Sequence, residues 1–192
     1  MLLDALVSNL THLAPGTRER ALSALDDLGD PRAMPALIEL LRFDAGEAPL
    51  ITGILERLAS ERLAGERIGL EWANWVEWLQ KHDEIQSNPG FRAWKAHLFS
   101  RIDPAFDSFL APDLPHRVRI EEIVWGGVRK GHIPALTNPA HIKPEEAAYL
   151  TPQELVFGIS INGDHRAYPL RILDWHEMFN DVVGGKPVSL SY

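Results

Sequence analysis

Asn162-Gly163 fixes more of this chain than any other pair of residues. Both central positions of a type I′ turn need positive φ, and Asn-Gly is the pair that supplies it most readily. Before the pair, Leu155, Phe157, Ile159 and Ile161 alternate with other residues at the period of a strand, and Asp164 to Leu170 provides a return strand. An antiparallel hairpin is therefore expected at 155–170. Pro169 cannot donate to a ladder, so it belongs at an edge or an end.

After the hairpin, Asp174 has the chemistry of an N-cap and Glu177 stands three residues on, an acidic form of the capping box. Trp175, Met178, Phe179 and Val182 then recur at helical spacing. The expectation is a two-turn helix stopped by Gly184-Gly185, followed by a strand over Lys186 to Tyr192.

The first half has a different period. Ala21, Leu22, Leu25 and Leu28 form one apolar stripe, Gly29 stops it, and Asp30-Pro31 opens a second element with Met34, Leu37, Ile38 and Leu41. Two amphipathic helices joined by Leu28-Gly29-Asp30-Pro31 make an antiparallel hairpin. The run LGDPRAMPALIELL resembles a single HEAT-like repeat. One repeat cannot bury both faces, so neighbours are expected at about 48–60 and about 68–82. The second of these carries Trp72, Trp75, Val76 and Leu79 at i, i+3, i+4 and i+7, a stripe better suited to packing than to a binding platform.

Ser87-Asn88-Pro89-Gly90 reads as a break, giving a helical region at 1–86, an irregular lead-in at 87–150 and the start of a β-rich domain at 151–192. Within the lead-in, a helix is expected from Phe91 to Ile102, and short strands at Val118–Ile120 and Ile123–Val128. The fold class is α+β: HEAT-like antiparallel helices, then an incomplete β-rich domain with a short helix.

Composition excludes several functions. A net charge of −8 leaves no basic surplus for phosphates, which argues against a general nucleic-acid binder. No stretch of 18 apolar residues exists to span a membrane, and Asp4 and Asn9 interrupt the first apolar run before it could act as a signal peptide, so the expected location is the cytoplasm. With no cysteine, thiol catalysis and Cys-ligated zinc are excluded within these residues. A protein partner for the helical half is expected.

His176-Glu177-Met178-Phe179-Asn180 is the most chemically suggestive run, and three readings compete for it. A His-Glu-x-x-His zinc site needs a second imidazole at position 180, where Asn180 stands, so that reading fails. In a second reading Glu177 caps a helix and His176 is solvated. In a third, His176 and Asn180, with Tyr168 nearby, line a catalytic site, and His176 is also the candidate metal ligand.

Ile133 to Leu136, Ala167 to Pro169, Trp175 to Glu177 and Val183 to Val188 together resemble the domain-of-unknown-function 3179 family, over about 110–192. In that family a Cys-Pro-Leu-Cys-Gly type motif and a long β-rich remainder follow the strand matching Val188 to Tyr192. The resemblance implies that the reactive pair lies beyond Tyr192, and that these residues are the N-terminal fragment of a redox or metal-handling protein, inactive as given, with a soft metal ion as its candidate cofactor. Some relatives carry selenocysteine at the first cysteine. Its codon also reads as a stop, which would end the chain at a tyrosine like Tyr192; a frameshift or a natural short protein would leave the same end. The alternative is a non-enzymatic interaction scaffold built on the helical repeats.

Overall fold

The computed structural model describes residues 1–12, 14–63 and 65–191. It divides into two compact units, Met1–Gly126 and Gly127–Tyr192. None of the described helices is long and apolar enough to cross a membrane.

The first unit is helical: α1 (Leu2–Asn9), α2 (Thr17–Leu28), α3 (Met34–Phe43), α4 (Ala48–Leu58), α5 (Ser60–Leu63), α6 (Trp72–Gln80), α7 (Phe91–Ser100) and α8 (Phe106–Phe109). Gly29 ends α2 at φ 65°, and the Asp30 carboxylate accepts from the Arg32 amide at 3.0 Å as the chain turns into α3. The α2–α3 hairpin is thus built from the residues that signal it. Helix α3 is buried from Met34 to Leu41 and packs against α4, α6 and α7, which makes it the centre of the unit. Trp75 is fully buried and donates through Nε1 to the Gly69 carbonyl at 2.9 Å, so the tryptophan stripe is a packing surface.

One ion pair lies inside this core. Lys95 Nζ stands 2.8 Å from Glu39 Oε2, donates to the Ile120 carbonyl at 3.0 Å, and sits 5.4 Å from the centroids of both the Phe91 and Phe99 rings. Burial pushes the Glu39 carboxyl up and the Lys95 ammonium down, and each partner's charge opposes the shift of the other.

Ser87–Gly90 is a turn inside this unit. Asp4 Oδ1 accepts from Asn88 Nδ2 at 2.8 Å and from the Gly90 amide at 2.7 Å, pinning the turn to α1. Phe91, Trp94, Phe99 and Ile120 continue the helical core. The expected strands at 118–120 and 123–128 are not strands. Ile120–Glu122 forms a 3₁₀ turn, with the Arg119 guanidinium on the Ile85 carbonyl and the Glu121 carboxylate on the Ser87 amide. Among the described residues no strand pairs with this segment: Arg119 and Glu121 bond the backbone of the 85–87 loop, and Ile120 packs into the helical core.

The second unit contains β1 (Leu136–Thr137), β2 (Val156–Ile161), β3 (Asp164–Pro169), α9 (Leu170–Leu173), β4 (Met178–Val183) and β5 (Lys186–Ser191). Strands β2 and β3 form the expected hairpin, with Asn162 and Gly163 at φ 52° and 80° and Pro169 at the end of β3. A separate sheet has the order β1-β4-β5, with β1 parallel and β5 antiparallel to β4.

The helix expected from Asp174 onward is corrected by this sheet. The helical turn comes earlier, at Leu170–Leu173, and Asp174 stands at its C-terminal cap, not at an N-cap. Glu177 takes a left-handed φ of 54° and turns the chain into β4. Phe179, Asp181 and Val183 are buried on alternate positions, the period of a strand. Gly184 and Gly185, at φ 53° and 76°, close the β4–β5 hairpin and do not stop a helix.

The two hairpin turns grip one another. Asn162 Nδ2 donates to the Gly184 carbonyl at 2.9 Å, and the Gly184 amide donates to Asp164 Oδ2 at 3.0 Å. A β-carbon at Gly184 would run into the Ile161 carbonyl oxygen. The unit's buried core is small, Tyr168, Leu173 and Phe179, while Leu155 and Trp175 are 70% and 79% exposed.

Candidate functional site

The buried carboxylate of Asp181 organises the second unit. The alternation of β4 that buries Phe179 and Val183 also turns Asp181 inward, where it is 8% exposed. Its Oδ2 accepts from the Tyr168 hydroxyl at 2.6 Å and lies 2.8 Å from His141 Nε2, while Oδ1 accepts from the Val182 amide at 2.8 Å. Tyr168 comes from β3 and stacks on Phe179 with ring centroids 3.8 Å apart and planes 14° apart. His141 comes from the loop after β1 and meets Tyr168 edge to face at 5.8 Å.

The electrostatics of this group follow from burial and bonding together. Burial pushes the Asp181 carboxyl up, but the hydrogen bonds from Tyr168, Val182 and His141 outweigh it and hold the group below its ordinary range. Burial, and then the hydrogen bond and charge of Asp181, push the Tyr168 phenol well above its ordinary 10.0. An ionised carboxylate only accepts hydrogen bonds, so His141 must carry a proton on Nε2, which leaves Nδ1 as the ring's remaining donor or acceptor.

His141 and Tyr168 line a cleft of about 1000 Å³ whose walls are the 139–152 segment and the run from Asp164 to Leu173. Beside it, Arg166 forks onto Asp164 at 2.7 and 3.1 Å. The Asp164 carboxyl is held below its ordinary range, mainly by Arg166 and also by the Gly184 amide.

Of the three residues singled out from the sequence, Tyr168 stands in this network. Asn180 is the neighbour of Asp181 on β4 and so points to the opposite face; its carbonyl accepts from the Asn138 amide at 2.8 Å. His176 Nδ1 lies 2.7 Å from the Pro134 carbonyl, which makes Nδ1 the donor and leaves Nε2 free of that bond. His176 does not line the cleft. Strand geometry removes the shared helical side on which His176 and Asn180 would have met.

Asp181 and His141 were missed from the sequence. A period-two reading of Met178 to Val183 would have flagged Asp181, because it sets a carboxylate on the buried side between Phe179 and Val183. Nothing local marks His141. Among the described residues no group of three or more His, Cys, Asp or Glu side chains lies together to hold a metal ion, and the chain has no thiolate to offer a soft one. The donor set of these residues therefore does not fit the soft metal that the family resemblance implies.

Residues 130–192 match the family described as a protein of unknown function, DUF3179. The DUF3179 match contains the entire Asp181–His141–Tyr168 group. Residues 17–43 match the PBS lyase HEAT-like repeat, the α2–α3 hairpin. No curated protein and no solved structure matches the chain.

Proposed function

We propose that the DUF3179 segment is the acid–base part of a catalytic site. His141 is the proton carrier, Asp181 fixes its tautomer and offsets the charge it gains, and Tyr168 holds the carboxylate in place from the other side. The observation that carries this reading is the double occupation of Asp181 Oδ2, by the Tyr168 hydroxyl at 2.6 Å and His141 Nε2 at 2.8 Å, beside an open cleft. A carboxylate that orients an imidazole in this way supports general acid–base chemistry on whatever the cleft holds.

Hydrolysis of an activated ester, p-nitrophenyl acetate, tests the assignment. The expected result is a rate above that of free imidazole which His141→Gln removes and His176→Gln preserves. Loss with His176→Gln and retention with His141→Gln would return the role to His176, and equal rates for all three proteins would overturn the reading.

The finer form of the reading is redox. In it, a thiol or selenol contributed from outside residues 1–192 gives its proton to His141. The exposed Leu155 and Trp175 support this form, since they offer apolar surface for a further segment to cover. Reading the coding DNA past the Tyr192 codon tests it: an in-frame TGA followed by Pro-Leu-Cys-Gly supports a selenoprotein, and no coding continuation counts against it. A second reading, a protein-interaction scaffold, is favoured by the HEAT-like match in the helical unit.

A further inference from the structure

The cleft beside His141 has a lining that selects a class of ligand. Most of it is apolar, including Ile142, Leu150, Pro152 and Ile172. Such a surface buries a hydrocarbon or aryl body, and its volume of about 1000 Å³ is ample for a small organic molecule.

The charges around it are nearly all matched. Asp181 has three donors, and Asp164 and Arg166 neutralise one another. Lys143 also lines the cleft, two residues along from His141, and among the described residues its ammonium makes no ion pair. The Glu146 carboxylate next to it is turned to the Lys143 amide, at 3.0 Å, where it caps the turn that follows. Lys143 is solvent-exposed, and its one unmatched positive charge beside an apolar cleft suits a ligand with one negative charge. A phosphate monoester carries nearly two charges and would leave the second unpaired in this lining.

We infer that this cleft binds a small amphipathic monocarboxylate, its apolar body against the 142–152 wall and its carboxylate on Lys143. The inference rests on the acid–base reading of the same site and supplies its substrate class, since His141 then stands beside the ligand's polar end.

Titration of the isotope-labelled full chain with octanoate and with octylammonium tests it by amide chemical shifts. Octanoate should shift residues 139–143 and 166–173 saturably, octylammonium should not, and Lys143→Met should weaken octanoate by up to about fivefold, the upper end for an exposed ion pair. Lys143→Met keeps the apolar stem, so its fold can be checked from the unchanged spectrum elsewhere. Equal binding of the two probes, no saturable binding, or an unchanged affinity in Lys143→Met would overturn the inference. Octanoate binding without His141-dependent ester hydrolysis would retain the ligand class and reject the acid–base role. Hydrolysis without octanoate binding would do the reverse.

Discussion

Replacing Lys95 with methionine removes the cation from beside Glu39 while keeping most of the side chain's bulk. Glu39 is 3% exposed and Lys95 is 0% exposed, so water cannot take the cation's place. Glu39 Oε1 already lacks a hydrogen-bond partner, and the substitution strips Oε2 as well. Breaking a buried pair from one side costs about 3–5 kcal/mol, part of which is the Ile120 carbonyl losing its donor. With a urea slope of about 1–3 kcal/mol per molar, the unfolding midpoint should fall by roughly 2 M.

Tryptophan fluorescence reports the right unit. Of the six tryptophans, only Trp175 lies outside Met1–Gly126. The double variant Glu39→Leu/Lys95→Met should recover most of the loss, because replacing both charges removes two desolvation penalties together. The pH dependence has a definite sign. The Glu39 carboxyl is raised in the folded state, so stability linked to it is present at low pH and lost as pH rises through its folded value. Without Lys95 the deficit should therefore shrink on acidification from about pH 8 to about pH 5. A single-variant cost below about 1 kcal/mol, or a double variant showing the sum of both single costs, would refute the argument.

Three further outcomes are expected. Asp181→Asn should bring the Tyr168 phenol down toward 10.0, without reaching it because burial remains; ¹³C-tyrosine NMR through alkaline pH would show the change. Gly184→Ala should destabilise the second unit by at least about 1 kcal/mol from positive φ alone, with the collision at the Ile161 carbonyl adding to it, as read by loss of amide protection in 156–191. Asp4 is held well below its ordinary range, first by the N-terminal amine and then by Asn88 and Gly90. Its contribution is present above the unfolded carboxyl value and lost as pH falls, so Asp4→Asn should flatten the acid limb of stability measured by circular dichroism.

The α2–α3 and β2–β3 hairpins were legible because their turns demand particular residues. Gly29 and Asp30-Pro31 specify one, and Asn162-Gly163 the other, whatever surrounds them. The run from Trp175 to Val183 was not legible, because it satisfies two periods at once. Trp175, Met178, Phe179 and Val182 fit a helix, while Phe179, Asp181 and Val183 fit a strand, and the outcome depends on the partners β1 and β5. That choice decided the site. On a helix His176 and Asn180 share a side; on the strand Asn180 turns away and Asp181 turns in. His141 reaches Asp181 across 40 residues of sequence through the pairing of β1 with β4, a long-range contact that leaves no local signature.

The grip between the two hairpin turns has a consequence for kinetics of exchange. Amides at the tips of two-residue turns ordinarily swap their hydrogens with solvent quickly. That of Gly184 is bound to Asp164 of the other hairpin, at 3.0 Å. Its deuterium uptake is therefore a built-in gauge of separation between the β2–β3 and β1-β4-β5 sheets. If they part before either melts, Gly184 will exchange ahead of the strand amides around it; if it exchanges with them, the sheets open as a single cooperative body.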